Sequence, residues 1–260
     1  MATQTATFNK ISLDFQPPVA RLTLANGPLN IIDMAMMDEL RAALEQIETR
    51  GDVSILILSG SEKAFSAGVS VAEHTPDKVH QMLSEFHSVV RALLATKKVT
   101  IAAVRGSCLG GGAELALVCD MAYTASSAKW GFPEITLACF PPVAVVALAA
   151  VVGQKRAAEL VMSGRIFSGE EAATIGLANA ALPEPELAGR VDDAVARLAR
   201  LSPAALRLTK KAFYAWDAMH FDKGLARAEQ IYLEELMKTE DAPEGIKAFM
   251  EKRQPMWKGK

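Results

Sequence analysis

Gly106-Ser-Cys-Leu-Gly-Gly-Gly-Ala-Glu-Leu-Ala-Leu-Val-Cys-Asp120 holds a turn, three consecutive glycines and a short helix. Between Arg105 and Asp120 the single charge is Glu114, flanked by Leu115, Ala116, Leu117 and Val118. A helix apolar on every face is a buried helix. It begins at Gly110, Gly111 and Gly112, where missing side chains let another group approach the backbone. Unpaired N–H groups and the positive end of the helix dipole gather there, a setting for a negative or developing negative oxygen. The stretch thus offers oxyanion donors with a carboxylate just inside. The competing use of the same residues is close packing on glycine, with Glu114 ion-paired in the core.

Working outward toward the N-terminus, Val99 to Val104 reads as a buried strand that feeds the glycine run. Before it, Pro76-Asp77 opens a helix carrying Val79, Met82, Leu83, Phe86, Val90 and Leu93 on one face. Phe65-Ser-Ala-Gly-Val-Ser-Val71 is a small-residue turn behind the strand Val53 to Leu58. Asp33 caps a helix with Met37, Leu40, Leu44 and Ile47 at helical spacing, ending before Gly51. Ile11 to Phe15 and Val19 to Leu24 read as two strands joined at Pro17-Pro18. Strand and helix alternate, so the expected class is α/β, built as successive β and α layers.

On the other side, Met121 to Ala125 is a strand and Trp130-Gly-Phe-Pro-Glu-Ile135 a tight turn. Glu134 is the single charge between Lys129 and Lys155. An unpaired buried charge costs several kcal/mol, so Glu114 and Glu134 stand out together. From Gln154 onward the pattern is mostly helical, over 157–162, 169–175, 187–201, 203–215 and 224–237. The expected organisation is a β/α core over residues 1–182 and a helical region over 183–260.

With 260 residues, half of them hydrophobic, a substantial core is expected. The net charge is −2 and the basic residues are scattered, which argues against a nucleic-acid surface. Cys108, Cys119 and Cys139 form no CxxC pair and read as buried thiols of a reducing compartment. The first residues lack a signal-peptide pattern, and Pro141 and Pro142 interrupt the longest apolar run, Ile135 to Gly153. A cytoplasmic protein without a membrane span is the expectation.

Phe65-Ser-Ala-Gly-Val-Ser-Val71, Gly106 to Glu114 and Phe132-Pro-Glu-Ile135 resemble the three signature segments of the crotonase (enoyl-CoA hydratase/isomerase) superfamily. The resemblance extends to Gly245-Ile-Lys-Ala-Phe-Met-Glu-Lys-Arg253. It implies a spiral of ββα turns with a helical C-terminal trimerisation region, assembled as a homotrimer or a dimer of trimers. It also implies an acyl-CoA thioester substrate and no separate cofactor, since coenzyme A belongs to the substrate. The oxyanion donors fall on the backbone N–H of Val69 and Gly111. Glu114 corresponds to the group that handles the attacking water, and Glu134 to the group that delivers the α-carbon proton. Ser66, Ala67, Gly68, Val71, Gly110, Pro141 and Pro142 fall at substrate-binding positions. Lys252 matches a lysine that reaches a CoA phosphate, against its plain use as a solvated lysine in a charge run.

Two departures shape the expected substrate. Val69-Ser70 follow Gly68 where the family often has Ala-Asp, and Phe140-Pro-Pro-Val-Ala144 replaces a glycine-rich loop. Proline removes a donor and fixes φ, so the acyl pocket is reshaped. With Ser70-Val-Ala-Glu-His-Thr-Pro-Asp77, these residues are similar to the subgroup that hydrates cyclohexa-1,5-diene-1-carbonyl-CoA. A straight-chain hydratase, an enoyl-CoA isomerase and a non-catalytic binder are the alternatives. Retention of both glutamates favours a hydratase over an isomerase. His74, His80 and His87 show no metal-ligand spacing and read as structural rather than metal-binding, with His74 within reach of the acyl group.

Overall fold

The computed structural model describes residues 8–214 and 217–259. The chain opens on β1 (Ile11–Gln16) and β2 (Val19–Leu24), joined through a cis Pro17-Pro18 peptide. Then follow α1 (Met34–Thr49), β3 (Ile55–Ser59), β4 (Ala64–Ser66) and α2 (Val79–Ala95). The next turn is β5 (Val99–Val104), β6 (Ser107–Leu109) and α3 (Gly111–Leu117). After it come β7 (Met121–Ala125), β8 (Lys129–Gly131), α4 (Pro142–Val152), α5 (Gln154–Ser163) and β9 (Ile166–Ser168). The remainder is α6 (Gly169–Thr174), β10 (Ala180–Leu182), α7 (Glu184–Leu198), α8 (Pro203–Tyr214), α9 (Asp217–Glu234) and α10 (Asp241–Met250).

The strands sort into two sheets, ordered β1-β2-β3-β5-β7-β10 and β4-β6-β8-β9. Each β3–β4, β5–β6 and β7–β8 pair gives one strand to each sheet, so the chain winds as a spiral of ββα turns. In the larger sheet β1 and β2 are antiparallel and the other neighbours parallel. The continuous apolar runs of β3 and β5 fit strands covered on both faces. Asp33 caps α1 as the sequence indicates: its carboxylate accepts from the Met36 amide at 2.9 Å.

Several boundaries differ from the sequence reading. The strand at 99–104 does not lead straight into the glycine run, because Gly106 (φ 58°) turns the chain and β6 intervenes. The stretch 130–135 is not a plain turn: β8 is followed by a 3₁₀ segment at Pro133–Leu137. Pro76-Asp77 precedes the second helix, which starts at Val79 after an uncapped Lys78. Within Phe140 to Ala144 the chain enters a helix: Phe140 and Pro141 lead up to it and Pro142 is its first residue. Proline lacks an N–H, which the first helical position does not need, so Pro142 opens α4 readily.

The buried helix α3 is held from both ends. A Cβ on Gly112 would lie 2.7 Å from both Ser66 Cβ and Ser66 O, so only glycine lets the helix seat against β4. Past its C-terminus, Asp120 accepts from the Thr100 amide (2.7 Å) and pairs with Lys210 of α8 (2.9 Å). These contacts fix the glycine end of α3 relative to both sheets. Cys108, Cys119 and Cys139 are free and buried. Among the described residues, no helix is long and apolar enough to cross a membrane.

Candidate active site

Glu114 lies one turn into α3, is 2 % exposed, and has no salt-bridge partner among the described residues. Its Oε1 instead accepts the Ala144 amide at 2.9 Å, and the Val143 amide also points at it. Both donors belong to the first turn of α4, so a helix N-terminus faces this carboxylate. Burial nevertheless dominates and raises its pKa to about 7. Glu134, in the 3₁₀ segment after β8, has a buried Oε2 with no hydrogen-bond partner among the described residues. Burial first, and then the charge of Glu114, push Glu134 up to about 8. Two buried carboxyl groups whose charges act on each other cannot both ionise easily, so one holds a proton where the other does not.

Gly110, at φ 51°, caps α3 against the second carboxyl group. A Cβ there would stand 2.5 Å from Glu134 Oε1, so the glycine makes room for Glu134 to meet the helix start. Gly111 is the first residue of α3, and its N–H has no use inside the helix. Across from it, Ile32 donates to Gly68 O (2.9 Å) and accepts from Ser70 N (3.0 Å). That parallel bridge turns the amide of Val69 away from Ile32. A Cβ on Gly111 would approach Val69 Cγ2 to 2.6 Å, so the two residues are immediate neighbours. Val69 and Gly111 both line a cavity of about 530 Å³ that also reaches Glu114 and Glu134.

Ala67, Gly68, Val71, Gly110, Pro141 and Pro142 line this cavity as well. Ser66 does not. Its hydroxyl is fully buried, donates to Asn30 O (2.8 Å) and accepts from Gly68 N (3.1 Å). Ser66 therefore shapes the loop that carries Val69 instead of touching a ligand. Asn30 completes the brace by donating to Ala64 O and Phe65 O. Lys252 lies beyond α10, exposed and outside the cavity lining.

The cavity draws on residues that sequence reasoning left in the helical region. Ile246, Phe249 and Met250 of α10 close one side, and Tyr232 of α9 stands edge-on to Phe140 with ring centroids 5.2 Å apart. Their signal in sequence is only an apolar stripe, the same signal that any packed helix gives. Of the histidines, His74 lines the cavity, its Nδ1 2.9 Å from Ser70 O, and burial lowers its pKa. His87 is buried against Glu229 instead. Among the described residues, no group of three or more His, Cys, Asp or Glu side chains is arranged to hold a metal ion.

An apolar cavity that holds two buried carboxyl groups and the start of α3 can move protons beside a bound group and favour negative charge at the helix N-terminus. The sequence pattern of the enoyl-CoA hydratase/isomerase family matches residues 14–260. The chain is 38% identical over 252 residues to the cyclohexa-1,5-dienecarbonyl-CoA hydratase of Thauera aromatica, covering 96% of this chain and 97% of the relative. It is 35% identical to a probable enoyl-CoA hydratase of Bacillus subtilis, covering 96% and 99%. Among solved structures, the enoyl-CoA hydratase of Bacillus anthracis is similar at 33% identity and a TM-score of 0.78, covering 97% and 100%. With its crotonase fold and a match that runs nearly end to end, this chain belongs to the enoyl-CoA hydratase/isomerase family.

Proposed function

We propose that the protein adds water to the double bond of an α,β-unsaturated acyl-CoA thioester. The observation that carries this reading is that two buried carboxyl groups, Glu114 and Glu134, share one cavity with Val69 and Gly111, whose backbone amides we assign as the oxyanion donors. The thioester oxygen accepts hydrogen bonds from both amides. Ionised Glu114 takes a proton from water as its oxygen bonds to the alkene carbon. The π electrons move toward the thioester as an enolate, and protonated Glu134 delivers a proton to the α-carbon. The product is a hydroxyacyl-CoA, and dehydration runs the same steps backward. Each amide donor is worth about 3 kcal/mol of transition-state stabilisation in sites of this type.

Within that class we propose a cyclic dienoyl thioester, cyclohexa-1,5-diene-1-carbonyl-CoA, with water added across one double bond of the conjugated ring. The rigid lining of Phe140, Pro141 and Pro142 and the named activity of the Thauera relative support this choice. A homotrimer or dimer of trimers is the proposed assembly, consistent with the exposed Val145, Val151 and Met162 on α4 and α5. The test of activity is loss of the enoyl-thioester ultraviolet band when enzyme meets a panel of enoyl-CoAs, cyclic dienes included. Persistence of the band with every member overturns the hydratase reading.

A further inference from the structure

The acyl cavity holds a third polar group that the two-carboxylate scheme does not use. Tyr232 reaches it from α9, is 1 % exposed, and has a buried hydroxyl whose one neighbour able to accept, among the described residues, is the thiol of Cys139. The Cys139 thiol lies close by but is only a weak acceptor. Glu134 and Glu114 are near enough for their charges to act on the phenol. A thiol is a poor substitute for an oxygen acceptor, so a buried phenol on the lining of a ligand cavity is better satisfied by an oxygen on the ligand. Phe140 holds the ring edge-on, which fixes its direction.

We infer that Tyr232 is a further substrate-contacting residue, whose hydroxyl binds the oxygen that enters the acyl group: first the attacking water, then the hydroxyl of the product. This rests on the hydratase reading and adds a third anchor to it. The phenol makes only a hydrogen bond; the water's proton goes to Glu114 and the α-carbon receives its proton from Glu134, so the proton balance of the reaction is unchanged. Burial holds the phenol pKa well above its usual value, which keeps it a neutral donor throughout. A water held by Glu114 alone can pivot about one contact, whereas a second contact at Tyr232 directs its lone pair. Because α9 supplies this group, the helical region contributes to the chemistry as well as to the closure of the cavity.

Tyr232→Phe removes one oxygen and keeps the ring. The test measures hydration of crotonyl-CoA and of the cyclic dienoyl-CoA. It also measures affinity for 3-hydroxybutyryl-CoA and for butyryl-CoA, which share a skeleton and differ by one hydroxyl. The expected result is a fall in kcat of about 10-fold or more on the better substrate. Affinity for 3-hydroxybutyryl-CoA should also weaken about 10-fold, with affinity for butyryl-CoA unchanged, in line with the worth of one hydrogen bond. Unchanged hydration, or equal weakening toward both thioesters, overturns the inference and leaves the hydratase reading standing. A wild-type enzyme that hydrates neither enoyl-CoA, with Tyr232→Phe binding both thioesters as the wild type does, overturns both.

Discussion

The amide of Ala144 donates to Oε1 of Glu114 at 2.9 Å across the gap between two helices, α4 and α3. Pro142 makes this contact geometrically simple. It starts α4 without an N–H of its own, so the next amides, those of Val143 and Ala144, are the ones aimed at the carboxylate. A helix N-terminus stabilises a negative charge, while burial opposes it. Glu114 sits between those influences, and burial prevails, raising its pKa to about 7. Glu134 has no such donor on Oε2 and is pushed further toward the protonated form.

Replacing either carboxyl group separates proton transfer from binding. Glu114→Gln and Glu134→Gln should each lower the hydration rate at least ~100-fold, the usual worth of a positioned general acid or base. Affinity for a saturated acyl-CoA should be nearly intact, because glutamine keeps the shape. Steady-state kinetics beside calorimetric binding would check both halves. Wild-type hydration by either variant, with every enoyl-CoA that the native enzyme accepts, would remove that glutamate from the mechanism.

Much of this site was legible because it is local. The glycine run, Glu114 and Glu134 lie within 25 positions of one another, and lone charges in apolar sequence announce themselves. The alternation of strand and helix was legible in the residue patterns, whereas the spiral of ββα turns came from the family resemblance. What escaped was set by contacts distant in sequence. Ser66 sits inside a signature segment, yet its hydroxyl is spent on Asn30 and Gly68, which no spacing rule exposes. The helix at Pro142–Val152 is apolar nearly all round, so it has no periodicity to read, and two prolines disguised its start. Tyr232, Phe249 and Met250 look like helix-packing residues until the helical region is folded over the cavity.

If Gly111 is an oxyanion donor as proposed, a methyl group there should disturb the site without removing an amide. Its Cβ would lie 2.6 Å from Val69 Cγ2 and 3.1 Å from Phe86 Cζ, so Val69, which carries the other amide, must move. Gly111→Ala should lose ~10-fold or more in kcat/KM while circular dichroism stays native. Adding Val69→Ala should recover most of that loss by clearing the contact, a coupling that a double-mutant cycle would read. Gly111→Pro, which deletes the amide itself, should abolish activity with no rescue from Val69→Ala. Full activity in folded Gly111→Pro would exclude this glycine as a donor.

The raised carboxyl groups have a consequence for stability with a definite sign. Glutamates titrate near ~4.3 in an unfolded chain. Burial of both, and the charge of Glu114 on Glu134, move the native values up to about 7 and about 8. Between those limits the native state holds more protons than the unfolded state, so stability falls as pH rises from ~4 toward 8. The doubly substituted Glu114→Gln, Glu134→Gln protein lacks this term. It should gain on the wild type in urea unfolding as pH increases across that range, with the difference smallest near pH 4. Hydration should peak near neutrality, where the pair shares one proton, and its two limbs would report the pair rather than either residue. A stability difference independent of pH would contradict the burial of these charges.

The acyl group is the remaining choice, and the lining of the cavity bears on it. Phe140, Pro141 and Pro142 contribute side chains with little freedom, and Val69 narrows the side beside Gly111. Phe249 and Met250 of α10 approach from the helical region. A flexible chain entering such a space loses torsional freedom with each bond it fixes, whereas a ring has few torsions to lose. A flat conjugated ring also lets charge drawn toward the amides of Val69 and Gly111 spread over its double bonds. We therefore expect kcat/KM for cyclohexa-1,5-diene-1-carbonyl-CoA to exceed that for crotonyl-CoA by at least ~10-fold, or ~1.4 kcal/mol in the transition state. Replacing Pro141 and Pro142 with glycine and alanine, as a more pliant lining, should narrow the gap chiefly by slowing the cyclic substrate. Faster turnover of crotonyl-CoA by the native enzyme would sink the cyclic reading and leave hydration by Glu114 and Glu134 untouched.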